Sequence, residues 1–114
     1  MSDCIFCKIA AREIGSTVVY EDEEFLAFRD INPVAPTHVL LIPKKHVSSL
    51  LEVPEQDAPL MGRMLTLAAK LAGQLGLAED GFRVVINTGK NGGQTVEHLH
   101  FHLLGGRALQ WPPG

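Results

Sequence analysis

The sequence predicts an α+β domain, a five-stranded antiparallel sheet with one long helix on a face and a short helix at the N-terminus. Three observations predict it. Five short segments, residues 17–20, 25–30, 38–42, 82–87 and 97–104, are rich in β-branched, aromatic and aliphatic residues. One stretch, residues 54–76, repeats its apolar residues at helical spacing. The links are short, and the order strand, strand, strand, helix, strand, strand suits an antiparallel sheet. The 114 residues form a single domain, 1–114.

Ser2 and Asp3 are good caps for a helix over residues 4–11, where Ile5 and Ile9 share a face. Gly15 ends that unit. Residues 22–24, Asp22-Glu23-Glu24, read as a solvated turn between the first two strands. Pro33 and Pro36 fix the loop that follows. The third strand, residues 38–42, is nearly all apolar, so it should lie centrally and be covered on both sides. Residues 48–53 form a single helical turn. Pro54-Glu55-Gln56-Asp57 then opens the long helix, its acids suited to the positive end of the dipole. Leu60, Met61, Met64, Leu65, Leu67, Ala68, Leu71, Ala72 and Leu75 make its buried stripe, and Gly76 stops it. A tight glycine turn, residues 89–93, leads into the last strand, which Gly105-Gly106 ends.

That last strand holds the chemistry. With period two, His98, His100 and His102 fall on one face and Leu99, Phe101 and Leu103 on the other. Side chains two apart on a strand stand roughly 6–7 Å apart, so successive imidazoles can flank one tetrahedral group such as a phosphate. A single histidine is commonly a satisfied structural residue, but three on one face bring six ring nitrogens that each need a partner. Metal ligation is the rival use, since neutral imidazole binds metals readily. Asn91-Gly92-Gly93-Gln94-Thr95 just upstream can turn backbone N–H groups toward an anion.

Composition narrows the classes. Of the chain, 46% is hydrophobic, enough for a core, and the formal net charge is −3, which opposes non-specific nucleic-acid binding. No apolar run approaches the length of a membrane span, and no secretory signal pattern opens the sequence. The expected compartment is the cytoplasm. There, the Cys4-x-x-Cys7 pair reads as a metal clip or redox pair rather than a structural disulfide. A redox motif of the thioredoxin kind would follow a strand, and none precedes Cys4.

The run His98-Leu99-His100-Phe101-His102-Leu103-Leu104 matches the pattern His-apolar-His-apolar-His-apolar-apolar. With Cys4-Ile5-Phe6-Cys7-Lys8-Ile9, Phe28-Arg29-Asp30-Ile31-Asn32-Pro33, Pro36-Thr37-His38, Ile42-Pro43-Lys44-Lys45-His46, Asn91-Gly92-Gly93-Gln94 and Trp111-Pro112-Pro113-Gly114, it resembles the histidine-triad nucleotide-binding family. Within that family it is similar to the HINT branch, bacterial type with an N-terminal C-x-x-C. The resemblance is collinear over nearly the whole chain.

The resemblance implies a hydrolase that cleaves the P–N bond of purine nucleoside phosphoramidates through a nucleotidyl-histidine intermediate on His100. A neutral imidazole, with an ordinary pKa near 6.5, suits that attack at neutral pH. By the same likeness His98 and His102 hold phosphate oxygens and share proton movements, while Gly93 N–H binds developing charge. Asn87 and Gln94 orient phosphate and nucleophile, Thr95 meets the leaving group and His38 buttresses the triad. Thr95 stands where many relatives carry serine. Asp30 accepts from the ribose hydroxyls, and Ile14, Phe28, Ile31 and Leu40 wall the base pocket. Cys4, Cys7, His46 and His98 make a candidate Cys₂His₂ set for a structural Zn²⁺ that catalysis does not need. His98 cannot easily serve both zinc and phosphate. A homodimer is implied through the long helix and the strand over residues 82–87, with the Trp111 tail reaching toward the partner's pocket. The rival functions are a nucleotide-binding regulatory module with little turnover and a metalloprotein in which every histidine is a ligand.

Overall fold

A computed structural model describes residues 3–114, and the α+β architecture is the one the sequence predicts. The elements are α1 (Ile5–Ala10), β1 (Val18–Glu21), β2 (Phe25–Arg29), β3 (Thr37–Pro43), α2 (Ala58–Gln74), β4 (Phe82–Ile86) and β5 (Phe101–Gly105), with 3₁₀ turns at Leu50–Glu52 and Glu55–Asp57 before α2. The strands form one sheet in the order β1-β2-β3-β5-β4. All its neighbours run antiparallel.

Covered on both faces, β3 is buried almost throughout, as its unbroken apolar run requires. One face of the sheet sends Phe25, Ala27, Val39, Leu41, Phe101 and Leu103 against the Met64, Leu67, Ala68, Leu71 and Ala72 stripe of α2. Leu65, expected in that stripe, is instead half exposed. The other face packs Leu26, Phe28, Leu40 and Ile42 under Phe6 and Ile9 of α1. Cross-strand register lays Phe28, Leu40, His102 and Val85 in one row across this second face.

Three boundaries differ from expectation, each for a local reason. Helix α1 is capped by Cys4, whose Sγ accepts the Cys7 N–H at 3.3 Å, rather than by Asp3; Ser2 lies outside the described residues. Helix α2 begins at Ala58, because Pro59, which lacks an N–H, fits its first turn, while Glu55–Asp57 winds as 3₁₀. The last strand begins only at Phe101, so residues 98–100 are irregular backbone. Asp22 does more than face solvent. Its Oδ1 accepts from Glu24 N–H at 2.8 Å and Phe25 N–H at 2.7 Å and closes the β1–β2 turn. Among the described residues, no helix is long and apolar enough to cross a membrane.

Candidate active site and metal cluster

Alternation survives the loss of regular strand. Leu99, Phe101 and Leu103 enter the core under α2. His98, His100 and His102 turn to the opposite face, where Phe6 stacks edge-on against His98 at 6.0 Å and His100 at 5.1 Å between centroids. The three imidazoles do not line up outside the core, however. His98 is fully buried and His100 is 4% exposed.

Backbone partners fix which ring nitrogen of each histidine carries its proton. His100 Nδ1 lies 2.7 Å from the His98 carbonyl oxygen, so Nδ1–H donates and Nε2 keeps a bare lone pair. That Nε2 has no partner among the described residues, and among them no fully buried side-chain nitrogen or oxygen lacks one. Val34 N–H donates to His38 Nδ1 at 3.1 Å, which leaves the His38 proton on Nε2. That Nε2–H meets His102 Nδ1 at 2.9 Å, with Asp30 Oδ2 at 3.4 Å beside it. His102 therefore carries its own proton on Nε2. A chain of hydrogen bonds runs from a backbone amide through two rings and ends on the His102 Nε2–H, which has no partner among the described residues.

Burial favours the neutral form of His38 and His102. Burial, helped by His100 and His38, pushes His102 down to about 4, against the pull of Asp30. Burial also lowers His38, again opposed by Asp30. Asp30, His38 and His102 lie close enough to suggest a metal site. His38 argues against it, because its Nδ1 lone pair is already engaged and its Nε2 would have to lose a proton to ligate.

His98 belongs to a different group. Its Nε2–H donates to the Pro43 carbonyl at 2.8 Å, which leaves Nδ1 bare. Around that Nδ1 stand Cys4 Sγ at 3.2 Å, Cys7 Sγ at 3.6 Å and His46 Nδ1 at 3.2 Å. His46 Nδ1 is also 3.2 Å from Cys7 Sγ. Donors on a tetrahedral zinc would lie about 3.3–3.6 Å apart for N–N and S–N pairs, given ordinary Zn–N and Zn–S bonds. The tetrad fits such an ion in donor type, spacing and outer-shell support, the Pro43 carbonyl orienting His98 as a ligand. Burial and the neighbouring Cys4 push the Cys7 thiol up to about 11, a preference that a bound cation reverses. The expected phosphate role of His98 is thereby corrected, since neither ring nitrogen remains for an oxygen.

The glycine turn also differs from expectation. Gly93, at φ +81°, donates its N–H to Lys90 O at 3.1 Å and so does not present it to an anion. Asn87 Nδ2 donates to Gly92 O at 2.7 Å. Gln94 accepts from Gly89 N–H at 3.0 Å and donates to Ser48 O and Val96 O at 2.7 and 3.0 Å. These two amides shape the turn rather than reach out of it. The amides of Thr95 and Val96 have no acceptor among the described residues.

Two hollows meet here. One, of about 270 Å³, is lined by Ile14, Phe28, Asp30, Ile31 and Leu40 together with Phe6, Ile9 and Val96. It brings together all five residues expected to hold base and ribose. The other, of about 460 Å³, holds Thr95 with Asp3, Cys4, His46 and Glu97, and shares Ile5 and Val96 as walls with the first. Phe6, Ile9 and Val96 were given no role from the sequence. The i, i+3 spacing of Phe6 and Ile9 on α1 was the available signal.

A HIT domain model matches residues 11–109. An uncharacterized HIT-like protein of Synechococcus elongatus is 55% identical over 112 residues, covering 98% of this chain and 97% of that protein. A 14 kDa zinc-binding protein of Zea mays is 56% identical over 115 residues, covering 99% and 89% respectively. Among solved structures, a HIT family hydrolase from Legionella pneumophila Philadelphia 1 superposes with a TM-score of 0.96 at 54% identity, covering 98% of this chain and all of that one. A histidine triad protein from Clostridium difficile gives 0.94 at 49% identity, with 96% of each chain covered. With that match and a sheet of the same build, the chain belongs to the HIT domain family.

Proposed function

We propose that this protein is a hydrolase of purine nucleoside phosphoramidates, with His100 as nucleophile. The observation that supports the reading is the His100 ring itself: Nδ1–H is held by the His98 carbonyl, Nε2 has no partner among the described residues, and Phe6, edge-on to the ring at 5.1 Å, also walls an apolar pocket edged by Asp30. The base would sit among Ile14, Phe28, Ile31 and Leu40, and the Asp30 carboxylate would accept from the ribose hydroxyls. His100 Nε2 attacks the α-phosphorus, the P–N bond breaks, and the amine leaves with a proton. His102 Nε2–H would hold a phosphate oxygen, supported by the hydrogen bond from His38 Nε2–H to its Nδ1. Water then attacks the nucleotidyl-histidine, releasing the nucleoside monophosphate and restoring the ring. The Thr95 and Val96 amides can meet the charge that develops on phosphorus oxygens.

A relative described as a HIT family hydrolase supports the reaction class, and one described as zinc-binding supports Zn²⁺ in the Cys4, Cys7, His46, His98 tetrad. The ion would supply charge and fixed geometry away from the phosphorus. Two copies pair along the free edge of β4 and the neighbouring α2 surface, where Leu65 and Phe82 are exposed, and the exposed Trp111 tail extends toward the second copy. The cytoplasm is the working compartment, where thiols stay reduced.

The test is turnover of adenosine 5′-phosphoramidate to AMP and ammonia. Wild-type protein releases AMP, while His100→Ala binds AMP with little change and releases none. Equal turnover by that variant would remove His100 as nucleophile. Nucleotide binding without turnover by the wild type would favour a regulatory module.

A further inference from the structure

We propose that His98 is a positioning residue for His100, and that an ion in the Cys4, Cys7, His46, His98 tetrad sets the nucleophile's ring through the His98 backbone. The inference rests on the reading of His100 as nucleophile, but one arm of its test does not.

The acceptor that fixes the His100 tautomer is the carbonyl of His98. That carbonyl lies outside the sheet, because β5 starts at Phe101 and residues 98–100 have no strand ladder. Its direction is held by what grips residues 98 and 99 from other elements. His98 Nε2–H is tied to Pro43 O at 2.8 Å, and Leu99 N–H to Val47 O at 2.7 Å. The remaining grip is the tetrad, which joins His98 to His46 and to both cysteines of α1. Helix α1 in turn lays Phe6 against the His98 and His100 rings. Three chain segments far apart in sequence thus converge on one peptide unit. Without an ion, the tetrad is four donors within 4.8 Å of one another, joined by weak sulfur and ring contacts of 3.2–3.6 Å. With one, each donor has a bond of fixed length and angle. The segment then cannot rotate without breaking coordination, and the His98 carbonyl keeps facing His100 Nδ1.

A purely structural metal would alter melting and leave the nucleophile's ring alone. A positioning metal alters the ring in protein that is still folded. Outer-shell partners of this kind commonly matter by about 10–100-fold in activity or affinity.

The experiment compares Zn²⁺-loaded, chelator-stripped and reloaded protein, and titrates Zn²⁺ into Cys7→Asp, which keeps four ligands but binds the ion more weakly. Long-range ¹H–¹⁵N spectra read the His100 ring, steady-state turnover of adenosine 5′-phosphoramidate gives kcat and KM, and melting reports the fold. Stripping is expected to turn His100 from a single Nδ1–H form into a mixture and to lower kcat about tenfold, with KM changed less than threefold. Reloading restores both. In Cys7→Asp, the ring signal and kcat should follow one Zn²⁺ saturation curve, which keeps the question open to test even if stripped wild-type protein melts. The proposal is overturned if His100 keeps one tautomer and kcat is unchanged in folded, metal-free protein, or if Cys7→Asp shows ring and rate independent of Zn²⁺. If loaded protein turns over no phosphoramidate, the functional reading falls, and the ring spectra alone decide the positioning.

Discussion

His98 and His102 lie four residues apart on one face of the same stretch, yet the chain uses them in opposite ways. At His98 a backbone carbonyl takes the Nε2 proton, and the bare Nδ1 turns to two thiols and a second imidazole. At His102 another ring donates to Nδ1, and the Nε2 proton has no partner among the described residues. His100, between them, gives its Nδ1 proton to a carbonyl and offers a bare Nε2. On the proposed reading, three identical side chains serve as ligand, nucleophile and hydrogen-bond donor. The hydrogen-bond partner on the far side of each ring decides which.

The sharpest way to break this comparison is to remove the rings one at a time. His100→Ala should lower turnover by at least about 10³-fold with nucleotide affinity nearly intact, whereas His98→Ala should lose metal and lower the melting point. If both variants bind metal normally and lose turnover alike, the division is wrong.

A smaller effect is expected at the hydrogen-bonded pair of His38 and His102. His38→Gln cannot both accept from Val34 N–H and present an equivalent ring N–H to His102, so kcat should drop by about 10–100-fold, in the range of general acid–base and outer-shell contributions. Metal content measured in the same sample should not change. Loss of metal in that variant would join two regions that are here held apart.

The turn before the triad serves both regions. A Cβ at Gly92 would overlap the Thr88 carbonyl, so Gly92→Ala should cost about 1–3 kcal/mol in chemical denaturation as the turn shifts. An unchanged unfolding curve would show the turn to be pliable.

The mildest effect is on pH dependence. His38 and His102 have lowered values in the folded state, His102 near 4. An unfolded histidine takes a proton near 6.5, so between about pH 6.5 and 4 the unfolded chain binds more protons. Stability should be complete above pH 6.5 and decline as pH falls toward 4. His102→Asn should flatten that decline in melting scans, and an unaltered slope would place the linkage elsewhere.

Much of this was legible in the chain. Period-two alternation gave the face of each triad member, and the β-rich runs gave all five strands to within a few residues. Ile14, Phe28, Ile31, Leu40 and Asp30 line one hollow. What periodicity could not reveal was where each ring's protons go. Those depend on the Pro43 and His98 carbonyls and the Val34 amide, backbone groups that leave no mark in residue type. Nor could periodicity reveal that Gly93, Asn87 and Gln94 each spend an N–H on hydrogen bonds that shape the turn. Leu65 shows a further limit, since an apolar residue at helical spacing can lie just beyond the stripe that packs.

The most direct test of the division among the three rings is to trap the covalent intermediate. Protein mixed with a slowly hydrolysed adenosine phosphoramidate, stopped in alkali within one turnover and fragmented for mass spectrometry, should carry a single AMP-sized adduct on His100. An adduct on His98 or His102, or none while AMP is being released, would contradict the account.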